Sequence, residues 1–238
     1  MAAIDTVELL MARKGALDAR IAEAPALAQR LYELRRFQAQ RLAHTYKDLA
    51  SEPKHAAAVE FFLSDLYGPE GAVRRDNDLR RAWRYFKRAL PRAALEVLER
   101  AVALDVLSAE LDLAMAETMA AAKVTPASYA AAYRQVGRAE ERERQIDRLI
   151  AVGEDLDRIV RHAWIGVALR AARHPAHTAG FGALQDFLER GFAAFRQMGG
   201  ARELLAAIHE RETELMQALL AGRKQPFEQA GTKRANYP

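Results

Sequence analysis

Residues 61–81 read FFLSDLYGPEGAVRRDNDLRR, an apolar helix end, a turn and a strongly basic helix start in immediate succession. Just upstream, His55, Val59, Phe62 and Leu66 recur on one helical face, and Gly68 stands where helices commonly end on a left-handed residue. Pro69 and Gly71 interrupt regular structure, and Asp76 offers a side-chain cap to a new helix with the stripe Leu79, Trp83, Phe86 and Leu90. The other side of that helix is cationic: Arg80, Arg81, Arg84, Lys87 and Arg88, preceded by Arg74 and Arg75, stand against only Asp76 and Asp78. Asp65 is oddly placed among Phe61, Phe62, Leu66 and Tyr67, near a helix C-terminus whose dipole disfavours negative charge. It needs a cation, and Arg74 or Arg75, returned by the turn, is expected to supply a charge-assisted pair.

The rest of the chain extends the same pattern in both directions. Upstream, helical spacing covers Ile4 to about Ala22, with Gly15 as a candidate break. Pro25 then opens a helix with the stripe Leu27, Leu31, Leu34, Leu42, Tyr46 and Leu49. Ser51 and Pro53 lead into the helix that ends at Gly68. Downstream, Pro91 to Ala122 carries two apolar stripes, so this helix is expected at the centre, with Asp105 and Asp112 lying between the stripes. Thr125-Pro126 and Gly137 bound a short helix. Arg138 to about Ala172 reads as one long helix: RAEERERQIDR is an exposed, ion-paired half, and the apolar half with Ile159, Trp164, Ile165, Val167 and Leu169 is expected to enter the core. Residues 173–180, RHPAHTAG, read as a loop with two histidines. An aromatic helix from Phe181 to Gly199 follows, then a last one with the stripe Leu204 to Leu219 and Glu212 in its gap. No segment alternates with period 2 and none repeats at 20 to 50 residues. An all-α, single-domain bundle of about eight to nine helices over residues 1–222 follows, with a flexible basic tail over 223–238.

The strings FFLSDLYG, RRDNDLRR, SYAAAYRQVG, ALQDFLERGFAAF and IHERE resemble a family of uncharacterised bacterial proteins of similar length, over about Glu60 to Leu220. FFLSDLYG is the most specific part of the likeness. The resemblance implies a bacterial origin and a helical fold, and it transfers no catalytic residue.

Half the residues are hydrophobic and 29% are charged, a globular composition. With no cysteine, disulfides, thiolate metal sites and cysteine nucleophiles are excluded, and a reducing compartment fits. The longest apolar run, Ala163 to Leu169, is far short of a membrane span, and the start MAAIDTVELLMARK lacks the basic, apolar pattern of a secretory signal. A cytoplasmic protein without membrane association is expected. The net charge of +4 lies mostly in the tail, where Arg223, Lys224, Lys233 and Arg234 oppose Glu228. The near-neutral remainder makes nucleic acid an unfavourable partner.

Two functional readings compete. In one, Asp65, Asp112, Glu212 and a histidine such as His55 or His162 line a cavity for a ligand, a metal or haem, as in an oxygenase-like bundle. The paired Glu-x-x-His motifs that such metal bundles use are missing, so no metal or cofactor is expected. In the other, the acids neutralise arginines. Serines without a Gly-x-Ser-x-Gly context and the absence of a glycine-rich phosphate loop point away from catalysis. Asp65, Arg74, Arg75, Arg80, Arg81 and Arg84 then mark a surface for an acidic protein or anionic ligand, and a homo-oligomer is compatible with the sequence. A non-enzymatic interaction or regulatory module is the reading adopted.

Overall fold

The computed structural model describes residues 3–66, 72–89, 92–119 and 123–229. The regular elements among these residues are all helices, with no strand. The helices are α1 (Ala3–Ala22), α2 (Pro25–Thr45), α3 (Lys47–Ala50), α4 (Ala56–Phe61) with a π-helical turn (Phe62–Leu66), α5 (Ala72–Ala89) and α6 (Arg92–Thr118). They continue as α7 (Pro126–Val136), α8 (Ala139–Val160), α9 (Ala163–Thr178), α10 (Gly182–Met198), α11 (Arg202–Leu220) and α12 (Pro226–Gln229). This is more than the eight or nine expected, because two predicted helices are subdivided, into α2 and α3 and into α8 and α9, and α12 lies in the stretch read as a tail.

The apolar residues collect in two main clusters. Leu42, Tyr46, Leu49, Val59, Phe61, Phe62, Phe195, Met198, Leu204 and Ile208 form the first, from α2, α3, α4, α10 and α11. Leu27, Leu31, Leu34, Leu113, Met115, Tyr129, Tyr133, Leu215 and Leu219 form the second, from α2, α6, α7 and α11. Helices α2 and α11 therefore run through both clusters. The expected central helix, α6, buries Leu95, Val102, Val106 and Leu107 along with Leu111, Leu113 and Met115, consistent with its two stripes. A smaller cluster of Val7, Trp83 and Leu95 holds α1, α5 and α6 together.

Helix starts follow their chemistry where a cap is encoded. Thr125 accepts from the Ser128 amide at 3.2 Å, and Ser128 Oγ accepts from the Thr125 amide at 2.9 Å, a reciprocal capping box ahead of Pro126. Elsewhere the expected punctuation is overruled. Gly15 lies inside α1 without breaking it, and α5 starts at Ala72, so Asp76 lies within the helix. The predicted long helix divides after Val160, where His162 is extended with ψ 99°. The turn lets α9 fold back onto α10. Gly166 meets Phe192 there, and a Cβ at that position would sit 2.7 Å from Phe192 Cε1. The stretch RHPAHTAG is helical up to Thr178, with Pro175 inside the helix.

Two expectations about burial are corrected. The apolar half of the predicted long helix does not enter the core: Trp164 is 65% and Val167 58% exposed, and Gly166 is the only buried residue of α9. The first part of the predicted tail is packed, with the Phe227 ring 5.8 Å from those of Phe37 and Tyr129. Residues 230–238 lie outside the described residues.

Gly191 shows how closely α10 approaches α4, since a Cβ there would lie 2.8 Å from Cζ of the buried Phe61 ring. That ring is itself backed by Phe187 at 5.2 Å. Gly191→Val is expected to lower stability by about 2 kcal/mol through overpacking, read as a shifted urea midpoint with unchanged slope.

Candidate functional site

Helix α5 is held to the body by one edge and leaves the other to solvent. Trp83 is buried beside Val7 and Leu95, and its indole N–H donates to Glu8 at 3.0 Å. Lys87 reaches the same carboxylate at 2.9 Å, and Arg80 donates to Asp18 at 2.5 Å. Asp78, 6% exposed, accepts from Arg81 at 2.6 Å and from the Leu184 amide at 3.3 Å, joining α5 to the first turn of α10. Arg81 also donates to the Gly180 carbonyl, and its guanidinium lies 5.4 Å from the centre of the Phe181 ring. Asp78, Arg80, Arg81, Gly180 and Gly182 border an open cleft of about 690 Å³.

Beyond this edge lie Arg84, Tyr85 and Arg88, all exposed. Arg84 stacks 4.7 Å from the Tyr85 ring centre, and Tyr85 is 52% exposed with its edge toward Phe181. Among the described residues neither Arg84 nor Arg88 pairs with a carboxylate. The side chains of Arg74 and Arg75 lie outside the described residues.

Asp65 sits on the π-helical turn, inside the string FFLSDLYG. Among the described residues it is met by Arg190 of α10, whose Nε and Nη2 donate to Oδ1 at 3.0 and 2.5 Å; the expected pairing with Arg74 or Arg75 falls on side chains outside the described residues. Hydrogen bonding to Asp65 raises the Arg190 pKa. The π-turn widens the helix at its end, where Asp65 meets the neighbouring helix α10.

The other predicted acids are also committed to cations. Asp112 accepts from Arg35 at 3.3 Å and from Gln38 at 2.9 Å, both on α2. Glu212 accepts from Arg41 at 2.5 Å and from the Tyr46 hydroxyl at 2.9 Å. Burial works against the Arg41 charge, but the adjacent Glu212 carboxylate more than offsets it and the Arg41 pKa is raised. Asp105 lies 3.2 Å from Lys14. Asp112 and Glu212 thus meet cations of α2, while Asp65 belongs to the α4–α10 contact, so among the described residues these three acids are not gathered around one cavity.

The histidines fall outside any such cavity. His55 is 2% exposed, with Nδ1 2.8 Å from Glu52 and Nε2 3.4 Å from Glu203. His162 is exposed at the α8–α9 break and not on a buried helix face. Among the described residues, no group of three or more His, Asp or Glu could hold a metal ion. Among the same residues, no helix is long and apolar enough to cross a membrane.

Two buried charges escaped the sequence reading. Arg142, in a run expected to be wet, is 4% exposed; its guanidinium lies 3.5 Å over the Tyr133 ring and its Nε donates to the Gly137 carbonyl at 2.9 Å. Burial raises the Tyr129 and Tyr133 pKa values, with Arg142 opposing the shift at both. Asp155, 3% exposed, is held between Arg100 at 2.6 Å and Arg158. A hint existed in each case: Arg142 falls one turn before Ile146, and Asp155 one turn before Ile159 on the line to the core.

Residues 18–226 match the family described as a domain of unknown function, DUF8198. No curated protein and no solved structure matches the chain.

Two consequences can be measured. Asp65→Ala should cost about 1 kcal/mol and not the larger penalty of a stranded buried arginine, because Arg190 is 56% exposed and can rehydrate. The second concerns Asp48, whose two oxygens accept from Arg211 at 2.8 and 2.6 Å. Hydrogen bonding to Arg211 holds its pKa below the ordinary carboxylate value. A depressed carboxylate stabilises the fold above its unfolded pKa of about 4, and that stability disappears as pH falls through the lower folded value. Asp48→Asn is therefore expected to be less stable at neutral pH and to lose less stability on acidification, measured as urea midpoints at both ends of the range.

Proposed function

The chain belongs to the DUF8198 family, and we propose that it is a non-enzymatic interaction or regulatory module that binds an acidic protein partner through the outer face of α5. The observation carrying this reading is that Arg84 and Arg88 are exposed one turn apart, flank Tyr85, and pair with no carboxylate among the described residues. The neighbouring cations of the same helix, Arg80, Arg81 and Lys87, are neutralised by Asp18, Asp78 and Glu8. Isolated exposed arginines are ordinary, but two of them framing an exposed aromatic ring beside an open cleft supply both charge attraction and contact area. Arg81 and the cleft it borders extend the same face toward α10.

The ligand- or cofactor-binding reading finds less support. It required Asp65, Asp112 and Glu212 to face an open cavity, and each faces an arginine: Arg190, Arg35 and Arg41. A bacterial, cytoplasmic setting belongs to the same proposal and rests on the family resemblance and the absence of cysteine.

A fluorescently labelled polyglutamate peptide tests the reading by anisotropy. Saturable binding that weakens with salt is expected, reduced about tenfold by Arg84→Glu with Arg88→Glu. These side chains are exposed, so the melting temperature should not move. Equal affinity for the wild type and the double variant, or stronger binding of duplex DNA than of the peptide, contradicts the proposal.

A further inference from the structure

Helix α9 carries an apolar face that no described part of the chain covers. At 100° per residue Trp164, Val167, Ala168, Ala171 and Pro175 fall within about 100° of one another. All five are exposed, Trp164 and Val167 by 65% and 58%. The opposite side of α9 is committed to α10: Gly166 packs on Phe192, the Leu169 carbonyl accepts from Gln185 at 2.7 Å, and Arg173 Nε donates to Glu189 at 2.9 Å. The free stripe is three turns long, about 16 Å at 1.5 Å per residue. A contiguous apolar stripe of this kind differs from scattered exposed residues and marks a contact surface.

Charge selects the occupant. From Arg158 to Gln185 the chain has no Asp or Glu, four arginines and three histidines. Arg158, Arg161 and Arg173 are neutralised by Asp155, Asp157 and Glu189, whereas the exposed Arg170, one turn from Val167, pairs with no carboxylate among the described residues. A second copy would set this acid-free stretch against itself, with like charges opposed. A lipid surface would gain little from Ala168, Ala171 and Pro175, which offer almost nothing to insert. The same small residues beside Trp164 form a shallow trough into which the ridge of another helix fits closely.

We propose that the outer face of α9 docks an amphipathic helix of another protein, one whose apolar stripe is flanked by Asp and Glu. The proposal goes beyond the α5 reading and does not depend on it, because it concerns a different helix and a chiefly apolar contact.

The test uses the full chain and two labelled helix-forming peptides of about 18 residues with the same leucine stripe, flanked in one by glutamate and in the other by lysine. The glutamate peptide is expected to bind saturably and the lysine peptide not. Val167→Glu with Ala171→Glu should weaken binding about tenfold or more, through loss of apolar contact and like-charge repulsion. Trp164→Ala, which adds no charge, should weaken it in the same direction. Circular dichroism melts check that these surface variants stay folded. Arg84→Glu with Arg88→Glu should leave this affinity unchanged. Binding of neither peptide, equal binding of both, or loss in the α5 variant alone overturns the proposal. So does a dimer seen by native mass spectrometry, or adsorption to phosphatidylserine vesicles, that the Val167→Glu/Ala171→Glu pair abolishes.

Discussion

The contact between Arg41 of α2 and Glu212 of α11 is the constraint around which the rest of the structure is arranged. The two residues are separated by 171 positions, and their side chains are only 12% and 15% exposed. On α2, Arg41 falls between the Leu27–Leu34 contacts of one apolar cluster and the Leu42–Leu49 contacts of the other. On α11, Glu212 falls between Ile208 and Leu215 in the same way. A charged pair at this junction fixes how α2 and α11 slide past each other, since an apolar contact is non-directional and a guanidinium–carboxylate contact is not. Tyr46 adds its hydroxyl to Glu212, and Arg35 and Gln38 use the next turns of α2 to engage Asp112 on α6. Two helices, α6 and α11, are thereby registered against α2 by polar contacts, with the apolar clusters supplying most of the favourable free energy.

This arrangement has a consequence for chemistry. The acids most exposed to suspicion as a catalytic or metal-binding set are used as internal cross-links. Among the described residues, two surfaces stand without a partner: the Arg84–Tyr85–Arg88 edge of α5 and the uncharged outer stripe of α9. One offers charge with a little aromatic area and the other offers apolar area beside Arg170, and the proposed recognition rests on these two surfaces.

The sequence made most helices legible, because stripe spacing and the proline and glycine positions depend on local physics. It also showed that Asp65, Asp112 and Glu212 required partners. It could not say that Arg190 and Arg41 would serve, because each is brought to its acid by a helix far away along the chain. The break after Val160 has no glycine or proline to announce it and follows from the seating of Gly166 on Phe192. The apolar stretch from Ala163 to Leu169 appeared to be core because hydrophobicity all round a helix usually means burial. Only half of it is covered, and the uncovered half is the observation from which a docking face follows. Arg142 was concealed by the alternating charges around it, because a run of that kind gives no sign that one member turns inward over an aromatic ring.

A double-mutant cycle on Arg41 and Glu212, read by urea unfolding, tests most directly whether the buried acids are structural cross-links. With Arg41→Met, Glu212→Leu and the pair, the account predicts that each single change is strongly destabilising, by about 3 kcal/mol or more, because it strands a desolvated charge. The double variant should recover much of that loss, giving a large favourable coupling. Additive effects, or a Glu212→Leu variant as stable as the wild type, would contradict it and show that Glu212 is held for something other than Arg41.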